Sequence, residues 1–203
     1  MLLQMLVDDP VWYGILIAVM LASVVLHELG HALAATWQGD PTPSSEGHLT
    51  LDPSVHMGPV ALVMLLVMGM TWGSCPVDPR RFRDGRTGRA LVAAAGPAVN
   101  LVLGLLMVPV VVWSASVWGG DHTVPRALMM EGALNIAMAL FKLVPVPPLE
   151  GFEIGAATWI PRHIAARMQE AQWGLFLLLF LIAPRIFDVG IAMFGAMLSW
   201  ALA

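Results

Sequence analysis

Charge is what this sequence has least of. Only 12% of its 203 residues are Asp, Glu, Lys or Arg, against 58% hydrophobic residues and a mean hydropathy of +0.78. A soluble domain carries about a quarter charged residues to solvate its surface, so the composition speaks against one. Cysteine is nearly absent. Cys75 stands alone, which excludes an intramolecular disulfide and a cysteine-based metal motif, and it reads as an incidental free thiol near a helix end. No basic stripe interleaved with aromatics points to nucleic acid. The first residues lack a basic stretch followed by a small-residue cleavage site, so no removable signal peptide is expected.

What is present is a series of long Leu-, Met- and Ala-rich stretches. A chain whose exterior faces lipid must satisfy its backbone internally, and stretches of this length do so as helices. The first runs from Val11 through Thr36, long enough to cross about 30 Å of hydrocarbon. Others span about Met57 to Trp72, Ala90 to Val117 with Pro97 and Pro109 inside, and Ala127 to Val144. Two shorter runs, Gly174 to Ala183 and Ile186 to Ala203, flank Pro184-Arg185 as a broken hairpin or a bent pair. Between the first two segments, His48 to Asp52 alternates like a strand before Pro53. The expected fold is an all-α polytopic membrane protein of about five or six transmembrane segments, with a short extended or hairpin element after the first. Residues 1–203 form a single domain without internal repeats.

Arg80, Arg81, Arg83, Arg86 and Arg89 place the loop after the second segment in the cytoplasm under the positive-inside rule. If the first two segments both cross, the N-terminus is cytoplasmic too and the 37–56 loop is outside. That leaves a tension, because a site near residue 30 and one near residue 150 then lie toward opposite faces. A half-crossing segment or an extra bend would reverse the inference.

The first segment contains His27-Glu28-Leu29-Gly30-His31. Residues four apart in a helix stand on one face, so both imidazoles can reach one metal, while Glu28 is placed to hold a metal-bound water. Three ionisable groups in an apolar span cost several kcal/mol unless paired, and a bound cation offsets that cost. A hydrolytic zinc needs about three protein ligands and an open position. The best third candidate is Glu150, after Pro145-Val146-Pro147-Pro148-Leu149, with Gly151 letting the chain turn behind it. Asp52, His56, Glu131 and Glu153 remain rivals.

Two amides sit in apolar surroundings. Asn100 is expected to bond another helix in a structural role. Asn135, upstream of Glu150, is read as either such a tie or a site-facing donor for substrate or oxyanion. Lys142 either snorkels to the interface or brings a positive charge to the metal.

Taken in order, HELGH at 27–31, GHLTLDPSVHMGP at 47–59, AGPAVN at 95–100 and NIAMALFKLVPVPPLEG at 135–151 resemble the site-2 protease family of intramembrane zinc metalloproteases, in its small prokaryotic branch. The resemblance covers about residues 21 to 152. It implies that His27, His31 and Glu150 bind Zn2+, that Glu28 activates the water, and that His56 and Asn135 match functional positions of the family. It also implies a transmembrane protein substrate, unwound and paired by strand addition near Leu49 to Leu51, and a location in the prokaryotic cytoplasmic membrane. Glu150 and Lys142 depart from the family's usual Asp and Asn. The alternatives are a metal-binding homologue that engages a membrane protein without cutting it, and a metal-dependent transporter. Oligomeric state is not legible.

Overall fold

The computed structural model describes residues 2–202, and its order follows from where helices can start and stop. A short helix α1 (Leu2–Asp8) leads into α2 (Pro10–Trp37). Pro10 suits a first helical turn because that turn has no partner for an N–H, and Asp9 caps it by accepting from the Trp12 amide at 3.1 Å. After a single turn, α3 (Thr42–Ser45), comes α4 (Pro53–Met68), capped by Asp52 through the Ser54 amide at 2.8 Å. Thus Asp52, a rival third ligand from sequence, serves a helix end. Residues 48–52 form no strand, and none occurs among the described residues.

The second apolar segment is not among the helices long and apolar enough to span a membrane. α4 has 16 residues, about 24 Å of helix, and it is kinked at Gly58, whose φ of 67° is open to glycine, just before Pro59. It runs back along α2. Met57, Ala61 and Leu65 bury against Ile17 and Val24, and the Tyr13 hydroxyl donates to the Leu66 carbonyl at 2.8 Å. Gly69 stops it in the left-handed conformation, and residues 70–78 return without helical structure. The Ser74 amide bonds the His56 carbonyl at 2.8 Å on the way, and the Asp78 amide reaches Asp40 at 2.6 Å.

The consequence is topological. Gln38 and Asp40, at the end of α2, are tied to the arginine-bearing loop before α5 (Gly85–Trp118): Arg83 N to Gln38 O is 2.7 Å and Gln38 Nε2 to Asp84 Oδ2 is 2.9 Å. The exit of α2 and the entry of α5 therefore share one side, here called the arginine side. The C-terminal half of α2, with HELGH, lies toward it. The opposed placement expected from two complete crossings is replaced by a helix-in, coil-out excursion, which removes the tension between residues 27–31 and 150.

α5 turns at Gly119 into α6 (Thr123–Lys142), which ends back on the arginine side. A turn through the prolines leads to α7 (Glu150–Thr158), α8 (Arg162–Glu170) and α9 (Gln172–Leu202). The two final apolar runs are one helix through Pro184, a break that membrane helices tolerate. α5 packs along α2, α6, α7 and α9. Small residues permit the contacts, with Gly104 facing Ile136 and Gly190 facing Ala137. Four helices among the described residues, α2, α5, α6 and 181–202 of α9, are long and apolar enough to span a membrane. Tryptophans mark both edges: Trp113, Trp118 and Trp200 are exposed at the far helix ends, and Trp37, Trp159 and Trp173 on the arginine side.

Candidate metal centre

His27 and His31 are buried on the face of α2 that meets α5. Each ring is fixed through its Nδ1. His31 Nδ1 lies 2.7 Å from the Val92 carbonyl, which can only accept, so the proton sits on Nδ1 and Nε2 is left with a lone pair. His27 Nδ1 faces Asn100 Oδ1 at 3.2 Å, the same arrangement with an amide oxygen. The two Nε2 atoms then point at one another across 3.1 Å. Glu150 Oε1 completes the group, 3.4 Å from His27 Nε2 and 3.8 Å from His31 Nε2.

Three acceptor atoms converging on one point fit a cation better than any proton arrangement, since one shared proton satisfies a single pair. The spacing fits as well. Ligands about 2.0 to 2.1 Å from a tetrahedral zinc stand roughly 3.3 Å apart, and the three observed separations run from 3.1 to 3.8 Å. The space is kept open by a missing side chain. A Cβ at Gly96 would collide with Nε2 of both histidines. Gly96 and Asn100, one turn apart on α5, thus act as spacer and aiming residue. The sequence placed Asn100 in a structural contact, and its partner is the candidate ligand His27. An amide one turn after a glycine in an apolar run was the available signal.

Glu150 opens α7, and Gly151 places it there. Gly151 does not turn the chain; it lies inside the helix, where a Cβ would strike the Leu143 and Val144 carbonyls. The buried Oε2 of Glu150 has no partner, whereas Oε1 also receives the Lys142 ammonium at 2.7 Å. Lys142, the chain's one lysine, therefore puts its charge on the site rather than snorkelling away.

Glu28 lines a cleft of about 310 Å3 together with His31 and Glu150. The 70–78 return forms the opposite wall through Gly73, Ser74 and Cys75, and a Cβ at 73 would meet the Glu28 side chain over which the backbone passes. Burial, reinforced by nearby carboxylates, pushes the Cys75 thiol up to about 12, which leaves it inert as a nucleophile.

The other residues singled out have partners of their own, Glu153 within the lining of the same cleft. His56 is buried, with Nε2 2.8 Å from the Thr50 carbonyl. Asn135 donates to Ser23 Oγ and to Glu131 Oε1, each at 2.9 Å, tying α6 to α2. Glu153 pairs with Arg89. Among the described residues His27, His31 and Glu150 are the group whose ligand atoms lie within 4.8 Å of one another.

Comparison with known proteins agrees with this geometry. The chain is 33% identical to the Bacillus subtilis protein named "Putative zinc metalloprotease YwhC" over 81% of its own length and 79% of that protein. It is 29% identical to "Putative zinc metalloprotease Rip2" of Mycolicibacterium smegmatis, covering 85% of this chain and 68% of that one. The Mycobacterium tuberculosis protein of the same name is 30% identical over 86% and 69%. No family model and no solved structure matches. With a relative this similar along most of both chains, and a donor set that fits zinc, the chain belongs to the site-2 protease family of intramembrane zinc metalloproteases.

Proposed function

We propose that this protein hydrolyses peptide bonds in membrane-spanning protein segments, in a prokaryotic cytoplasmic membrane with the arginine side in the cytoplasm. The observation that carries the reading is the convergence of His27 Nε2, His31 Nε2 and Glu150 Oε1 beside a cleft that also holds Glu28. Zinc bound by those three residues would supply the Lewis acidity that polarises the scissile carbonyl and acidifies water. Val92 and Asn100 keep the imidazoles in the tautomer that offers Nε2. Glu28 takes the proton from the attacking water and delivers it to the leaving amine.

A helical carbonyl is hydrogen-bonded and sterically covered, so the substrate has to unwind before it reacts. The 70–78 return is the extended wall available to such a segment. In this reading strand addition belongs there rather than at Leu49 to Leu51, and His56, whose carbonyl holds Ser74, shapes that wall instead of touching the substrate. Asn135 holds α6 against α2 behind the histidines.

Glu28→Gln tests the assignment. Cleavage of a reconstituted membrane substrate is expected to fall about 100-fold or more while zinc content stays unchanged. Turnover equal to wild type would sink the base assignment. A second reading rests on the 2.7 Å contact between Lys142 and Glu150: a metal-binding homologue that engages a membrane protein without cutting it. Zinc binding and substrate capture without any cleaved product from the wild type would select it.

A further inference from the structure

A second cavity, of about 300 Å3, lies on the arginine side between the first turns of α5 and the lengths of α7 and α8. Its polar lining is Arg86, Arg89, Arg162 and Gln169, over an apolar floor that includes Phe152 and Ala156. No carboxylate lines it. Arg89 is neutralised by Glu153 outside the cavity. Arg86 makes one bond, to the Ala156 carbonyl at 3.4 Å, and neither it nor Arg162 pairs with an acidic group among the described residues. Two unpaired guanidinium groups from different helices therefore share a concave site whose floor is hydrocarbon.

The depth of the cavity in the membrane is set independently of charge. Trp159 and Trp173, 64% and 74% exposed, bracket α8 in sequence, and indole rings settle at the headgroup level. α8 itself mixes Arg162, His163 and Arg167 with Ile164 and Met168, the composition of a helix lying in the interface plane. A guanidinium pair at headgroup depth, above an apolar floor, matches a molecule with a phosphate at one end and hydrocarbon at the other. Planar forks recognise phosphate oxygens in pairs.

We propose that this cavity binds the phosphate of an anionic phospholipid in the leaflet on the arginine side. The lipid would lie against the flank of α7 that carries Phe152 and Ala156, with Arg89 between it and the catalytic cleft, bracing the helix that opens with Glu150. Loop arginines that merely obey the positive-inside rule would bind no lipid selectively, and that separates the two accounts.

The test titrates the detergent-solubilised full chain with phosphatidylglycerol, phosphatidylcholine and inorganic phosphate, scored by native mass spectrometry. Wild type is expected to retain phosphatidylglycerol over phosphatidylcholine, R86Q/R162Q to bind it about tenfold more weakly, and R80Q/R83Q, equal in charge lost but outside the cavity, to bind as wild type. Equal retention of the two lipids by wild type overturns the site, as does an equal loss in both double variants. Displacement of the lipid by inorganic phosphate at matching concentration overturns the lipid assignment in favour of a free phosphate. Should R86Q/R162Q fail to fold, R86K/R162K keeps the charge without the fork, and binding undiminished by that change also overturns the proposal.

Discussion

His27 and His31 are aimed by hydrogen bonds to a neighbouring long helix, whereas Glu150 is held by an ion pair with Lys142 across the α6–α7 turn. The histidine half has one spacing, one glycine and two fixed acceptors, all on α2 and α5. The carboxylate half depends on a proline-rich turn, a glycine pressed on the Leu143 carbonyl, and a charge shared with an ammonium. The first half is organised before any cation arrives. In the second, two cations would draw on the same oxygen.

The largest effect expected within this contrast comes from Gly96→Ala. The added methyl meets both ligand nitrogens, so zinc affinity should fall about 100-fold or more, while helix content by circular dichroism holds, alanine being the better helix former by about 1 kcal/mol. Next, Asn100→Ala leaves His27 untouched but unaimed, and zinc affinity should drop about 10- to 100-fold in a chelator competition. Unchanged affinity would show that the histidine half is not set by its hydrogen bonds. On the other half, Lys142→Met removes a positive charge beside the site, and zinc affinity is expected to rise about tenfold. A fall would mean that Lys142 positions Glu150, erasing the contrast.

The smallest effect concerns the tie that brings the halves to one side. Burial works to raise the Asp40 carboxyl, but hydrogen bonds from Thr42 and the Asp78 amide outweigh it and hold it below the ordinary carboxylate value. A carboxyl lowered on folding stabilises the fold above its unfolded value of about 4 and loses that contribution as pH falls through the folded value. Asp40→Asn should lower the thermal midpoint modestly at pH 7, by about 1 kcal/mol of stability, and shrink the gap to wild type in acid.

The histidine half was readable because one helix supplies it: a spacing of four residues says which side chains share a face. Glu150 could be named as a candidate for the same metal, but its rivals were eliminated only by tertiary contacts, Asp52 by a helix cap and Glu153 by Arg89. The contact between Lys142 and Glu150 joins residues eight apart through a turn, and no periodicity encodes it. Hydropathy marked residues 57–72 as a segment. It does not register that Gly58 bends the helix, that Gly69 ends it, and that the chain doubles back.

Helix length bears on the two halves unequally. α6 has 20 residues, about 30 Å, with no slack against a hydrocarbon core of the same thickness, and Lys142 is its last residue. His31 stands well inside α2, with further turns of helix before its end at Trp37. A thicker bilayer would thus bring hydrocarbon closest to Lys142, whose ammonium is held on Glu150. The acyl-chain length of the host membrane is then expected to bear on the metal site through that pair.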